Sequence, residues 1–597
     1  MTTTDSEVSC LPLTHNDWKN WVSASRTRNY SIEDTLTDWL DLYGLELGFT
    51  PDKLLPNYDP RYDWTEFIFE KGNLFETHFI NYIKEFAQVI NIGNFTVARN
   101  LDKAVETVNA MKNGTEVITQ AVLRNPENQT YGLADLLIRL DVLLELKDLF
   151  PNVSDLENSS NIDIKDPKIL KTYRVIDIKF STLRLKVGNF LDSSHKSHMV
   201  QLDIYNRALG RVQGFIPRYG YIAGRKWQQG KNRGNSSIDL LGVVDMEGDI
   251  KKGIKLRHFT NKSINWRRLV QTKGKNWKIF PKPKLLELYP NTGISNSGWD
   301  KAKSFISWRL NDMTRVSFIS PTKRKVAHES GITTLDDPRL TSEILQINGK
   351  SGILVDNIIN VNKKVNKDIV YPSKIKSGEE IWRNQSCMEF FVDFETVSDL
   401  DDDFRTFPII GGDQLIFQIG CGFIENSIWK FKQFTTNILN NESEVYILDE
   451  WFKFMDEKSK KNDYIVYHWS GAEKVHIETA YDNARNRHSD RDWPKINWFD
   501  LLKNIFDAEP VVIKGAYGLG LKQIAKALKK HGLIQTTWDN GPTDGMGAMV
   551  GAWRANNLAK NDGRKLIDYD IMKLIGKYNE VDCKVMQEIL YYIREKH

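Results

Sequence analysis

Two widely separated sets of acidic residues could each hold a divalent cation and turn water onto a phosphodiester. The first runs through Gly132-Leu-Ala-Asp135, Val175-Ile-Asp177-Ile-Lys179 and Gln201-Leu-Asp-Ile-Tyr205. The second opens at Phe391-Val-Asp393-Phe-Glu395 and closes far downstream at Tyr578-Asn-Glu-Val-Asp582. Carboxylates are the hard oxygen ligands that Mg2+ and Mn2+ prefer. A lysine beside them can stabilise an attacking hydroxide or the charge of the transition state. Asp177 and Lys179 are two apart on a predicted strand and point to one face. Gln201 and Tyr205 are four apart on a predicted helix and share one side of it. Asp393 and Glu395 share one face of an otherwise apolar strand, where two neighbouring acids are costly to bury without a cation. Tyr578 and Asp582 lie one helical turn apart, so a hydroxyl and a carboxylate converge.

Each fragment also has a plainer reading. Asp-x-Lys on a strand is often a salt-bridged, solvated face, and Gln-x-x-x-Tyr alone carries almost nothing. Order, spacing and strand setting together favour the catalytic reading.

The elements that must position the first set are legible between Asn73 and Gly224. Asn73–Phe86 has apolar residues at helical spacing. Val117–Leu123, Gly132–Leu137 and Tyr173–Phe180 read as strands, His198–Leu209 as a helix and Tyr219–Ala223 as a further strand. The Asn-, Ser- and Asp-rich stretch Pro151–Lys168 is expected to be a surface insertion. Around the second set, three strands come first: Phe390–Phe394, Leu415–Phe423 and Trp429–Phe434. A helix (Glu442–Met455), a strand (Tyr464–Trp469), another helix and Trp498-Phe-Asp500-Leu follow. A helix at Leu519–Leu528 and a long C-terminal helix around Ile571–Ile593 complete the block. This order resembles that of an RNase H-like fold.

The first set resembles the PD-(D/E)XK nucleases, in their RecB-like branch with its G-x-x-D, D-x-K and Q-x-x-x-Y motifs. The resemblance implies metal binding by Asp135 and Asp177, a catalytic Lys179, and a helix lining the nucleic acid through Gln201 and Tyr205. Glu76, in Phe75-Glu-Thr-His78, matches that family's upstream acid, with His78 as a further participant. The second set resembles the DEDD exonuclease superfamily in its Tyr-containing form. That implies a two-metal site at Asp393, Glu395 and Asp582, with Tyr578 orienting the attacking water. The middle acid departs from the pattern: Tyr467-His-Trp-Ser-Gly-Ala-Glu473 stands where many relatives have an Asn-x-x-Phe-Asp-like element. Glu473 is the first candidate ligand there, with His468 lining the cleft, and Asp500 is the second. Each of the two acids reads equally well as a helix cap or a surface charge. The combination is similar to a family of predicted RecB-family nucleases, in which a RecB-like domain is joined to a YprB-type RNase H-like domain. Ile118-Thr-Gln120-Ala, Gly132–Asp135, His468-Trp-Ser, Leu521-Lys522 and Tyr578–Asp582 carry that similarity.

At 597 residues the chain is too long for one core. The expected α/β architecture has four blocks. Residues 1–60 have no assigned role, 61–240 form a PD-(D/E)XK restriction-endonuclease-like domain, 241–385 a mixed basic and helical connecting region, and 386–597 the RNase H-like domain. A composition of 41% hydrophobic and 27% charged residues is ordinary for a globular protein. A net charge of +4 does not mark a nucleic-acid binder by itself, so any such surface is local. Lys251–Lys284 offers one, with twelve Lys and Arg and no Asp or Glu, interleaved with Phe259, Trp266, Trp277 and Phe280. Phosphates could run along its basic residues, Arg267 and Arg268 among them, while Trp266 and Trp277 stack on bases. The alternative is a solvated basic face with its aromatics in the core. Thr314–Pro338 reads as a helix–turn–helix pair turning at Gly331-Ile332. It is similar to a helix-hairpin-helix module, except that Ser320-Pro-Thr stands where that module has its glycine loop.

Cys10, Cys387, Cys421 and Cys583 are scattered without a C-x-x-C pair, so neither an iron–sulfur cluster nor a zinc knuckle is expected. A reducing compartment, cytoplasmic or nuclear, fits. No apolar run spans a bilayer and no signal region opens the chain, so no membrane association is expected. G-x-x-x-x-G-K-[ST] is absent, so any helicase would be a partner in trans. The expected activity is Mg2+- or Mn2+-dependent hydrolysis of single- or double-stranded DNA ends in repair, recombination or replication. The alternatives are an RNA-processing exonuclease, or a nucleic-acid-binding scaffold with a degenerate RNase H-like half.

Overall fold

The computed structural model describes residues 17–159, 163–164, 166–234, 236, 238–295, 297–363, 365–384, 387–470, 477–538 and 544–597. Among these, the chain divides into two compact units, each discontinuous in sequence. The first takes 17–51, 68–302 and 402–411; the second takes 52–67, 303–401 and 412–597. The connecting region expected over 241–385 therefore belongs in part to each unit. No helix among the described residues is long and apolar enough to cross a membrane.

The first unit is built on one mixed eight-stranded sheet: β1 (Val22–Ser23), β2 (Val89–Asn91), β3 (Val117–Asn125), β4 (Thr130–Arg139), β5 (Tyr173–Leu185), β6 (Tyr219–Gln229), β7 (Asn232–Gly234) and β8 (Gly242–Asp245). The order is β2-β3-β4-β5-β6-β7, with β1 beside β4 and β8 beside β6. β3, β4 and β5 are antiparallel in succession, whereas β5 and β6 are parallel and joined through the helix Lys196–Gln213. β9 (Asp249–Lys251) and β10 (Ile254–Lys255) close a small hairpin.

Alternation along β5 sorts the two faces of the sheet. Val175 packs with Leu202, Ile204, Tyr205 and Ala208 of the crossover helix, while Ile176 and Ile178 pack with Phe75, Phe79 and Ile83. The last three recur every four residues, giving the helix Trp64–Ile83 one apolar stripe. Phe404, from the distant segment 402–411, is fully buried against Phe75 and Phe180, with ring centroids 5.5 and 5.8 Å apart.

Pro151–Lys168 is in part core rather than surface. Its helix Val153–Asn158 buries Val153 and sends Glu157 into an ion pair with the buried Arg174 at 2.7 Å. Tyr221 donates a hydrogen bond to the same carboxylate at 2.7 Å. A buried guanidinium requires a fixed counter-charge, and the insertion supplies it.

The basic run also folds inward. It forms the helix Leu256–Lys273, whose buried positions Leu256, Thr260, Ile264, Arg267 and Val270 recur at helical spacing. Trp266 donates to the fully buried Asp38 at 2.9 Å, and Arg267 pairs with the same carboxylate at 3.0 Å. Burial pushes the Asp38 carboxyl up to about 6 against the pull of Arg267. Trp266 and Trp277 are buried and stacked on each other, with centroids 5.8 Å apart. The expectation that these rings stack on bases is corrected: both are held in the core, and the charge of Arg267 is already matched. Arg268 donates to the backbone carbonyls of Asn20 and Asn128.

The second unit contains β11 (Val370–Tyr371), β12 (Met388–Val397), β13 (Leu415–Glu425), β14 (Ile428–Thr435), β15 (Tyr464–His468), β16 (Trp498–Asp500) and β17 (Val512–Ile513). Five of them form a sheet in the order β14-β13-β12-β15-β16. β12, β13 and β14 are an antiparallel meander; β15 is parallel to β12, and β16 to β15. β11 pairs separately with β17. The helix Asn441–Ser459 covers one face through Ile447, Leu448, Trp451 and Met455. The C-terminal helix Asp570–Lys596 covers the other through Cys583, Met586, Ile589 and Leu590. Phe390 and Val392 face the first of these cores and Phe391 the second. Asp393 and Glu395 follow Phe391 on its side of the strand.

Around Gly331 the expected pair of helices is only half present. Pro321–Glu329 is helical and Gly331 turns with φ +74°, but the next helix begins at Gly349. The intervening chain folds back so that Leu335, Leu340 and Leu345 fill a core with Leu354 and Val355.

Arg174→Met should leave Glu157 as an uncompensated buried charge and lower stability by about 3–5 kcal/mol. Chemical denaturation checks this; a loss under ~1 kcal/mol would show that the insertion is not part of the core.

Candidate metal centres

In the second unit, β12 presents Asp393 and Glu395, and the C-terminal helix presents Tyr578, Asn579 and Asp582. Ligand oxygens of Asp393, Glu395 and Asp582 all lie within 4.8 Å of one another, the one such group among the described residues. Asp393 sits opposite Gly420 of β13. A side chain at Gly420 would overlap the Asn579 carboxamide, so this glycine opens the space through which Asn579 reaches across. Asn579 Nδ2 donates to Asp393 Oδ2 at 2.8 Å, and Trp538 Nε1 donates to Asp582 at 3.1 Å. The Lys522 ammonium lies 4.4 Å from the centre of the Tyr578 ring.

All three carboxyls are held above the usual range, with burial the leading cause in each. Asp393 is pushed up to about 7, against the opposing pull of Asn579 and Lys522. For Glu395 and Asp582 the charge of Asp393 adds to burial. Burial pulls the Lys522 ammonium down and pushes the Tyr578 phenol well up, so that hydroxyl keeps its proton at neutral pH. Three mutually repelling carboxylates at this spacing, two buried and Asp393 half-buried, fit a hard divalent ion such as Mg2+ or Mn2+.

Glu473 lies outside the described residues. Asp500 is buried and accepts from the backbone N–H groups of Ser470 and Lys503 at 3.3 and 3.1 Å, which is a capping role. His468 meets Glu478 through Nε2 at 3.1 Å. Asp544, which the sequence reading passed over, caps the helix Gly545–Asp562, and its charge acts on Lys522 and Tyr578. Asn579 and Lys522 lie inside motifs quoted above but had been given no role; only the cross-strand glycine and the stacked phenol reveal one.

The first-unit site spans β3, β4 and β5. The register pairing Leu136 with Ile176 brings Asp135 alongside Asp177 one step further on. The pairs Thr119–Leu136 and Ala121–Ala134 set Gln120 across from Asp135. Lys179 Nζ lies 2.6 Å from Asp177 and 3.8 Å from Asp135, so an ammonium, not a third carboxylate, completes this cluster. Asp135 also accepts the N–H of Ile178 at 2.8 Å. Glu76 accepts from Gln120, whose φ of +50° is left-handed in mid-strand and costs about 1–2 kcal/mol. Gly132 admits Tyr205: a Cβ there would meet the ring at 2.5 Å. Gln201 donates to the Tyr205 hydroxyl at 2.9 Å. Glu76, Gln120, Asp135 and Tyr205 line a cleft of about 660 Å³.

Burial, with the charge of Asp135, pushes Glu76 up to about 7, and burial pushes Asp177 up to about 8. Burial pulls on the half-buried Lys179 ammonium too, but its carboxylate neighbours hold its proton on. Asp177 Oδ1 has no hydrogen-bond partner among the described residues. This buried orphan oxygen is a fit for a cation. His78 does not line the cleft; its ring lies 6.1 Å from that of Phe404. His198, not anticipated, is held down to about 3 by burial and then by the Lys179 charge, and is therefore neutral.

Residues 403–594 match a family model described as the RNase_H superfamily. The match includes Asp582 and begins beyond β12. No curated protein and no solved structure matches the chain. With the strand order above, the match identifies an RNase H-like domain in the C-terminal part of the chain.

The raised carboxyls set a pH dependence. A carboxyl whose folded pKa lies above its unfolded value favours folding while protonated. The contribution of Asp393 is full below about 4 and is lost as pH rises through about 7. In EDTA at pH 8, Asp393→Asn should therefore melt above wild type by on the order of 1–3 kcal/mol of stability, and the gap should close near pH 4. Mn2+ should stabilise wild type alone. Equal melting at pH 8 would mean the carboxyls do not repel.

Proposed function

We propose that this chain is a divalent-metal-dependent nuclease with two separate hydrolytic sites, acting on DNA in repair, recombination or replication. The carboxylate trio of half-buried Asp393 with buried Glu395 and Asp582, within an RNase H-like domain, carries this reading. Bound there, Mg2+ or Mn2+ would neutralise the carboxylates and supply the Lewis acidity that polarises a phosphoryl oxygen. Asn579 and Trp538 hold Asp393 and Asp582 in orientation, as outer-shell donors do at metal sites. The protonated Tyr578 hydroxyl orients the attacking water, and Lys522 draws the anionic phosphate toward the acids. This site trims 3′ ends.

In the first unit we propose a PD-(D/E)XK-type site. Glu76, Asp135 and Asp177 hold the ion, Lys179 stabilises the charge that develops on the phosphate, and the Gln201–Tyr205 edge positions the strand. The orphan oxygen of Asp177 and the cleft beside Asp135 support this assignment.

End-labelled single- and double-stranded DNA and RNA, incubated with Mg2+, Mn2+ or EDTA, test both sites. Asp393→Asn and Asp177→Asn should each remove one activity by at least ~10²-fold while sparing the other. Full cutting by both variants would refute the assignment, and preferential RNA degradation would redirect it to RNA.

A further inference from the structure

Beyond Lys179 the pairing of β5 with β6 shifts by one residue, and the two strands continue as a ribbon to Leu185 and Gln229, with β7 at the edge. The ribbon is two-sided. Leu183 and Leu185 are buried, and Trp227 packs against the same core. Arg184 and Lys186, at the alternate positions, are exposed. Arg184 pairs with Gln228, and Gln228 with Arg233, so two guanidinium residues flank one glutamine in a single row across three strands. Lys226 stands two residues before Gln228 on the same side, and Lys231 occupies the turn into β7. Residues 178–191 and 223–238 contain no Asp or Glu. Like charges across neighbouring strands repel. In a chain of net charge only +4, this many cations on one face, with Asp192 standing beside Arg184 at its edge, fit a polyanion.

We propose that this ribbon binds the phosphate backbone of duplex nucleic acid, holding the part of the substrate that lies outside the first-unit site. A β-ribbon fits the major groove of a duplex, and its Arg and Lys side chains reach the flanking phosphates. Single strands are held by stacking on aromatic rings. The basic face carries none, because Trp227 is turned to the core. The choice of nucleic acid as ligand rests on the nuclease reading of the first-unit site, whereas binding needs no catalysis.

The test is fluorescence anisotropy of a labelled DNA duplex and of its single strand with the full chain, in EDTA and over a range of salt. Arg184→Gln/Lys186→Gln/Arg233→Gln should lower duplex affinity at least tenfold at low salt. It should also reduce the slope of log affinity against log salt by about 3, since each phosphate contact contributes about 0.9. Arg184→Lys/Arg233→Lys, which keeps the charge, should retain the slope and so separates charge loss from misfolding. An unchanged slope in the triple variant, an equal loss of single-strand binding, or no duplex binding by wild type would each overturn the proposal. A wild type that binds through the ribbon but cuts nothing with Mg2+ or Mn2+ would sink the nuclease reading alone. One that cuts, with a triple variant that binds and cuts equally well, would sink the ribbon alone.

Discussion

Carboxylates that repel one another have to be held within a few ångströms of one another, partly withdrawn from water. Most of the local structure at both sites answers that demand. Around Asp393, Glu395 and Asp582 the answer is a rigid frame of neutral donors. Asn579 can reach Asp393 only because position 420 on the neighbouring strand has no side chain, and Trp538 fixes Asp582 from another loop. These neutral donors orient the oxygens without cancelling their charge, and although the Lys522 ammonium opposes the repulsion, all three carboxyls stay above the usual range.

The first-unit cluster meets the same demand differently. Lys179 is an internal counter-ion, close enough to the buried Asp177 to make an ion pair and near enough to Asp135 to be shared. A residual deficit remains on the far side, at the unpartnered oxygen of Asp177 and at Glu76. The strained backbone of Gln120 serves that side, since it places an amide on Glu76 and no charge. Backbone strain of this size persists only where the surrounding sheet over-determines it, and β3 lies inside an eight-stranded sheet.

What the sequence revealed follows from locality. Asp-x-Glu and Asp-x-Lys are strand-period patterns, and Tyr-x-x-x-Asp and Gln-x-x-x-Tyr are helix-period patterns, so each could be placed on one face of one element without knowing the fold. The five strands of the second unit's main sheet were likewise legible in chain order, because each is rich in aromatic and branched residues; the two-residue strands Val370–Tyr371 and Val512–Ile513 were too short to announce themselves. Contacts between distant segments were not legible. Nothing near Trp266 or Arg267 announces Asp38, and a basic run without acids looks the same whether its counter-charge is a phosphate or a carboxylate made two hundred residues earlier. Pro151–Lys168 looked like surface because its polar composition hid one glutamate that a buried arginine requires. The Ala- and Gly-rich helix Gly545–Asp562 was missed for the opposite reason: with so few large side chains its apolar period is faint.

Phe404 closes the core beneath the first-unit sheet, yet it belongs to a segment made only after most of 303–401 of the second unit has left the ribosome. Synthesis therefore cannot finish the first unit before starting the second. The nascent first unit must wait with an open apolar socket at Phe75 and Phe180, lacking its last aromatic contacts. Coupling completion of one core to translation of 303–401 means that a product terminated before Phe404 would carry the acids and lysine of the first site on an unfinished scaffold.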